Sequence, residues 1–319
     1  MELARLSGRG FTSLPEDEQT LADPLQLSEA SFTGAVAPAE ASYTLMLEDL
    51  VSGQIAGLAS VRAAVGVHRP HHSFRLMTLA QYSAAISTRF DHQALVLVNE
   101  CAGWTEVGSL FVREERRTGG VGGLLAAARY MLIGVDTTKF AETVMSELRG
   151  YFDADGHCPF WDCVASKFFR LPFDQADAMV TSTDGQFILD LAPRHPIYLE
   201  LIDIAARHAV ARVHPDVRGA MAMLEREGFR PSGLVDIFDG GPTVTCRRDD
   251  IASLRAARRL TARIVDLVEE TRRLISTDAI VGFRATRAPV RLSDNEAVID
   301  RATAAALAVN EGLAIRLRQ

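Results

Sequence analysis

Apolar residues between positions 43 and 112 come in short runs broken by polar turns. Residues 43–49 and 54–67 read as two strands joined at Ser52 and Gly53, which predicts a hairpin. Residues 95–99 and 106–112 read as further strands around a polar turn at Ala102 and Gly103. The period then changes. Leu124, Leu125, Ala128, Met131 and Leu132 recur at helical spacing within 121–133 and predict a helix with one apolar face. Residues 143–148 read as a strand and 197–213 as a helix. Val217, Ala220 and Leu224 again keep helical spacing, with Asp216 placed to cap that helix and Gly228 to end it. Phe229 opens the next strand. Residues 234–238 and 243–246 read as a late hairpin around Asp239, Gly240, Gly241 and Pro242. Residues 251–275 read as helical, followed by short strands at 280–284 and 288–292, a helix at 299–307 and a strand at 314–317. This order predicts an α/β protein with a large unit over 1–250, a helical connection over 251–278 and a small β-rich C-terminal domain over 279–319.

The composition narrows the class. A chain of 319 residues, 48% hydrophobic and 24% charged, can bury a substantial core. A net charge of -7 argues against nucleic-acid binding as the main task. No apolar run approaches the roughly 18 residues needed to span a bilayer, and the first residues lack a signal h-region. Cys101, Cys158, Cys163 and Cys246 show no zinc spacing and read as reduced core thiols, so the cytoplasm is the expected address.

The most informative stretch is Arg117-x-x-Gly120-x-Gly122, set between the apolar run Leu110, Phe111, Val112 and the helix that follows. A strand that breaks into glycines and enters a helix leaves several N–H groups pointing one way, beside the positive end of the helix dipole. Such a turn can seat a pyrophosphate. A P-loop would need Gly-Lys-Ser/Thr, and Gly122-Gly123-Leu124 supplies neither the lysine nor the hydroxyl. A dinucleotide fingerprint would need a third glycine where Leu125 stands. The turn also resembles the acyl-CoA turn of the GNAT superfamily of N-acetyltransferases, Arg/Gln-x-x-Gly-x-Gly/Ala. A plain glycine-rich turn is the alternative.

Residues 220–229, Ala-Met-Ala-Met-Leu-Glu-Arg-Glu-Gly-Phe, resemble the late motif of the same superfamily, with Leu224 where a tyrosine usually protonates the departing thiolate. Further segments follow in order: Gly10-Phe-Thr-Ser-Leu-Pro15, Phe74-Arg-Leu-Met-Thr-Leu79, Ser146-Glu-Leu-Arg-Gly150, Pro159-Phe-Trp161, Lys167-Phe-Phe169, Arg194-His-Pro-Ile-Tyr198, Val213-His-Pro215 and Asp236-Ile-Phe-Asp-Gly-Gly-Pro242. Together they resemble the arginine N-succinyltransferase family over about residues 1–250, and more loosely to the end. The resemblance implies a GNAT-like mixed sheet flanked by helices. It implies transfer of a succinyl group from succinyl-CoA, as co-substrate, to the α-amine of L-arginine in arginine catabolism. No bound cofactor and no metal are expected. The family has a heteromeric branch with related subunits, so an ornithine-preferring or non-catalytic subunit is the alternative, and a homo- or hetero-oligomer is expected. Relatives carry a first strand and most of a helix before the Gly10–Pro15 segment, whereas only Glu2 to Ser7 precede it here. A missing first strand would expose a sheet edge or remove part of the amino-acid pocket.

The resemblance also assigns residues. His214 matches the family's proton donor, and the leucine at 224 leaves that duty to it. Its place before a helix disfavours the cation and suits a base. Leu110 matches the acyl-CoA-binding position, where backbone groups of the strand, Val112 included, can pair with pantetheine amides. Arg117, Gly120 and Gly122 form the turn itself; Arg117 either screens the pyrophosphate or is solvated. Glu147 and Arg149 alternate on one strand and share a face. They can hold the substrate's ammonium or guanidinium and the succinyl carboxylate, respectively, or form an ordinary ion pair. His68, His71 and His72 read as a surface loop rather than a metal site, and His195 carries no assignment.

Overall fold

Alternation builds the strands. In β1 (Ser42–Glu48) Tyr43 and Leu45 are buried while Met46 and Glu48 are exposed. The structure is a computed structural model that describes Leu3 and residues 18–67, 69–182, 186–267 and 269–318. The Gly10–Pro15 segment and His68 lie outside the described residues. Among these, nine strands form one mixed sheet: β1, β2 (Ile55–Arg62), β3 (Ser73–Ser83), β4 (Thr88–Val98), β5 (Thr105–Val112), β6 (Thr143–Glu147), β7 (Ile197–Tyr198), β8 (Arg230–Val235) and β9 (Pro242–Arg247). Their order is β1-β2-β5-β6-β9-β8-β3-β4-β7. Within it β5 and β6 run parallel, and the other neighbours are antiparallel. Helix α1 (Glu18–Thr33) lies along the β1 edge: the backbone N–H groups of Ser42 and Thr44 donate to Ser31 Oγ and Ser28 Oγ, each at 2.9 Å. The exposed edge expected from the short N-terminus is therefore covered over Ser42 and Thr44.

Helix α2 (Val121–Val135) departs from the one-faced pattern. Every residue from Leu125 to Gly134 is buried, as a helix with apolar residues all round requires. Leu125, Ala128, Leu132 and Ile133 pack on the large sheet, whereas Ala127 and Met131 meet Leu274 of a second sheet. That second sheet has six described strands: β10 (Ala257–Val265), β11 (Arg272–Thr277), β12 (Ala285–Pro289), β13 (Arg291–Ser293), β14 (Glu296–Asp300) and β15 (Ala314–Arg318). The helical connection expected over 251–278 is thus overturned. Its Arg, Ala and Leu content favours helix, but Leu260 and Ala262 are buried at a two-residue spacing and β10 pairs with β14 and β15 on its two sides. Among the described residues there, only Ala252–Arg255 is helical. Residues 197–213 likewise hold the short β7 and the helix Ile204–Ala209, capped by Asp203, rather than one long helix. Residues 280–284 form a turn, and the strand begins at Ala285.

Around β3, β4 and β8, at the other end of the large sheet, lies an aromatic core in which Trp161 stacks on Phe169 (6.0 Å) and meets Phe238 (5.8 Å). The Pro159–Trp161 and Lys167–Phe169 segments of the resemblance therefore serve packing. Between the two sheets, buried Glu227 accepts from Ser253 N and Ser253 Oγ, both at 2.7 Å, and faces Arg318 Nη1 at 3.4 Å. Glu227→Ala would strand two donors of fully buried Ser253 and is expected to cost about 2 kcal/mol. A denaturation midpoint unchanged from wild type would refute this.

Candidate active site

The parallel strands β5 and β6 are paired only at Thr105–Val144 and Glu106–Met145. Beyond those pairs β5 bulges. The β2–β5 register shifts between Leu58 and Ser60, and Ser109 adopts left-handed backbone (φ 52) with its Oγ 2.9 Å from Ser60 Oγ.

 The two strands therefore cease to pair beyond Glu106 and Met145. Because they are parallel, the turn after β5 and the residues after β6 flank one opening.

On the β5 side, Leu110 and Val112 lead into the glycine turn. Gly119 (φ 63) and Gly120 (φ 76) take the left-handed conformation that favours glycine, and Gly120 is the N-cap of α2. The first intrahelical bond is Leu124 N–H to the Gly120 carbonyl at 3.0 Å, so helix geometry leaves the Gly122 and Gly123 N–H groups without an intrahelical acceptor. Cβ atoms at Gly122 and Gly123 would meet nothing within 4 Å, which leaves that face open. Arg117 is exposed but tied to the turn. Its Nε donates to the Val112 carbonyl at 2.9 Å, and its guanidinium stands 5.9 Å from the Phe111 ring centre, so it braces the turn. A cation that sequence reasoning missed also arrives from β12: a Cβ at Gly120 would lie 3.0 Å from Arg287 Nη1.

On the β6 side stand Glu147, Arg149 and His214. Glu147 Oε1 lies 2.9 Å from His71 Nε2, with 26% and 20% of the two side chains exposed. The Glu147 carboxylate, through its charge, pushes the His71 imidazole up to about 9 against the opposing effect of burial. Burial pushes Glu147 up in turn, but the charge and hydrogen bond of His71 outweigh it and leave the carboxyl below its usual range. His71 is thus no loop ornament, and Glu147 takes His71 rather than Arg149 as its partner. The Arg149 guanidinium stacks 4.6 Å from the Phe152 ring centre, and its buried Nε has no hydrogen-bond partner among the described residues. Burial lowers the tendency of Arg149 to hold its proton, yet a guanidinium remains a cation at any physiological pH.

His214 hangs from the end of β6. Its N–H donates to the Arg149 carbonyl at 2.9 Å, and the neighbouring Val213 bridges Gly150. His214, not Asp216, is the cap of the turn that leads into α3 (Arg218–Glu227): its Nδ1 lies 3.2 Å from Asp216 N. Pro215 explains the difference, since a proline at the first position directs the residue before it into the extended backbone of a cap. Nδ1 also lies 3.5 Å from Asp216 Oδ2. It can accept the backbone N–H when bare or face the carboxylate when protonated, so Nε2 is left to meet a substrate. Burial first, and the Arg149 charge second, hold His214 below its usual value against the pull of Asp216. Leu224 is buried in the core, away from any donor role.

The Asp236–Pro242 motif clamps this arrangement. Asp239 Oδ2 accepts from Gly150 N at 2.7 Å and Oδ1 from Gly241 N at 2.8 Å, while Asp236 Oδ1 accepts from Phe238 N and Asp239 N. Burial raises both carboxyls, and each acid is fixed by backbone donors rather than offered to a ligand. Burial also pushes the Cys101 and Cys158 thiols up to about 12 and raises Cys163 and Cys246, so none is a ready nucleophile. His195 is exposed before β7. No helix among the described residues is long and apolar enough to cross a membrane.

Residues 1–253 match the family described as arginine N-succinyltransferase beta subunit, and residues 258–317 match that subunit's C-terminal domain. The chain is similar to an arginine N-succinyltransferase of Yersinia pseudotuberculosis serotype O:3 (strain YPIII), with 34% identity over 99% of this chain and 93% of the relative. It is also similar to an arginine N-succinyltransferase of Citrobacter koseri, with 36% identity over 84% of this chain and 77% of the relative. Among solved structures, it is similar to arginine/ornithine succinyltransferase subunit AI from Pseudomonas aeruginosa, with a TM-score of 0.90, 31% identity, and coverage of 99% and 93% of the two chains.

Proposed function

The chain belongs to the arginine N-succinyltransferase family, and from that membership we propose that it transfers the succinyl group of succinyl-CoA to the α-amine of L-arginine, giving N2-succinylarginine and CoA. One observation carries the reading. The two parallel strands part so that an anion-binding glycine turn follows one and His214 hangs from the end of the other. A CoA diphosphate at the Gly120–Gly122 turn, with Arg287 beside it, lets the pantetheine run down the parted edge of β5 at Leu110 and Val112. The thioester then reaches the β6 side. The Arg149 guanidinium, whose Nε has no hydrogen-bond partner among the described residues, is the seat for the succinyl carboxylate, and Glu147 is the seat for the amino acid's ammonium.

The proton inventory fits one imidazole. An ammonium cannot attack a thioester, so one proton must leave nitrogen before the N–C bond forms, and a second leaves as the amide is made. The C–S bond breaks in the same sequence, and the departing thiolate takes up one proton, its thiol pKa being about 8.5. Neutral His214 receives a proton from nitrogen at Nε2 and returns one to sulfur, and the other goes to solvent. No cysteine is acylated on the way, since the thiols are held protonated; the transfer is direct, between two substrates, without a bound prosthetic group. We place this reaction in the cytoplasm, in an assembly of this chain with itself or with a related subunit, as the name of the solved relative indicates for that protein.

The deciding measurement is thiol release from succinyl-CoA by the purified protein with arginine, ornithine or neither. Release that requires arginine is the expected result, and no release with either amine would end this reading. Gly120→Ala tests the turn. The left-handed φ and the approach of Arg287 both oppose a Cβ there. The KM for succinyl-CoA should rise severalfold with the KM for arginine little changed, and equal rises in both would dissociate the turn from CoA.

A further inference from the structure

We propose that His71 is a positioning residue of the transfer: by binding Oε1 of Glu147 it turns that carboxylate toward the opening between β5 and β6 and keeps it there as the seat of the substrate's α-ammonium group. The inference rests on the proposed function and deepens it. His71 lies in the loop between β2 and β3, far from β6 in sequence, yet its Nε2 is 2.9 Å from Glu147 Oε1. The loop that carries it is fixed at several points. His71 N donates to Asn99 Oδ1 at 3.1 Å, and its Cβ packs close to Gly66. Glu147 occupies the last position of β6, where the parallel ladder with β5 has already ended. With a quarter of its side chain exposed, it is accessible to a ligand, whereas Asp236 and Asp239 are spent on backbone donors.

The charges around the pair define what it can do. Glu106 and Asp236 add negative potential at His71, and Arg62, itself 3.4 Å from Glu106, adds positive potential at Glu147. His72 and the buried Cys101 complete the neighbourhood. Without His71, Glu147 would be a half-buried carboxylate with no close hydrogen-bonded cation, and burial would drive it toward the neutral acid. A neutral acid does not hold an ammonium. His71 therefore acts on the substrate only through Glu147, by orientation and by keeping the carboxylate charged.

The test compares His71→Ala and His71→Gln with wild type in steady-state thiol release, varying each substrate separately between about pH 6 and about pH 8. Gln places an uncharged N–H donor near the position of Nε2; Ala places none. His71→Ala should raise the KM for arginine at least about tenfold, with the KM for succinyl-CoA within about twofold of wild type. His71→Gln should resemble wild type at the alkaline end and lose arginine affinity as pH falls, because Glu147 without its cation protonates at higher pH. Melting temperature and circular dichroism establish that each variant is folded; if His71→Ala is not, His71→Gln alone decides. Arginine KM values that match wild type across the range overturn the role of His71 and leave the proposed function standing. Parallel changes in both KM values do the same. A wild-type protein that releases no thiol with any amine removes the proposed function, and this inference with it.

Discussion

His214→Ala should lower kcat at least about a hundredfold while the KM for succinyl-CoA stays near its wild-type value. No hydrogen bond or ring contact among the described residues joins the imidazole to the glycine turn, so its loss removes a proton carrier rather than a binding contact. Burial and the Arg149 charge keep it below its ordinary value, which means that near neutrality it is bare and ready to receive a proton. Protonation in acid removes that capacity, so kcat/KM of the wild type should fall in acid, with its midpoint below the usual histidine value of about 6.5. His214→Ala should lose this acid limb together with its rate. Near-normal turnover in the variant would remove His214 from the chemistry.

Gly241→Ala is expected to damage both stability and turnover, though position 241 touches no substrate. A Cβ there would overlap the Leu148 carbonyl oxygen and stand 2.6 Å from Gly150 N and 2.9 Å from Asp239 Oδ1. Two of those atoms are backbone, which cannot swing aside as a side chain can. Relief would require the Asp239 turn to separate from the end of β6, breaking the Asp239–Gly150 hydrogen bond and shifting the Arg149 carbonyl that anchors His214. Overpacking of this kind costs about 3 kcal/mol at its usual upper range. Chemical denaturation should show the loss, and kcat should fall at least about tenfold in protein that remains folded, since small misplacements of a catalytic group are costly. A folded variant with full turnover would show that the clamp does not set the position of His214.

Legibility in the sequence followed the range of the interaction. The glycine turn, α2 and the helix ending at Gly228 (φ 103) are specified by neighbours a few residues away, and their types and approximate limits were readable. β10 was not, because its helix-favouring composition yields to pairing with β14 and β15, which lie tens of residues further on. The same holds within the candidate site. His214 stands out through a local Val-His-Pro segment, but its cap to Asp216 depends on the proline beside it. The partnership of His71 with Glu147 spans 76 residues, and that of Gly150 with Asp239 spans 89, so no local pattern announces either. Arg287 near Gly120 depends on how the second sheet packs against α2, which is a tertiary fact. The mixed sheet flanked by helices was nevertheless expected from the resemblance and the β-rich C-terminal region from the residue pattern, and the structure has both.

The serines of α1 have a further consequence. An open sheet offers its outermost strand to any passing chain, and a ribbon of alternating donors and acceptors invites a foreign strand to join. Here Ser28 and Ser31 occupy two of those donors with hydroxyls carried on a helix, whose backbone is already consumed internally and has no ladder to extend. At the far margin β7 is only two residues long and covers only Ala94 and Leu95 of β4, so the contrast with α1 is plain. One margin of a nine-membered sheet is thereby closed to strand addition over Ser42 and Thr44.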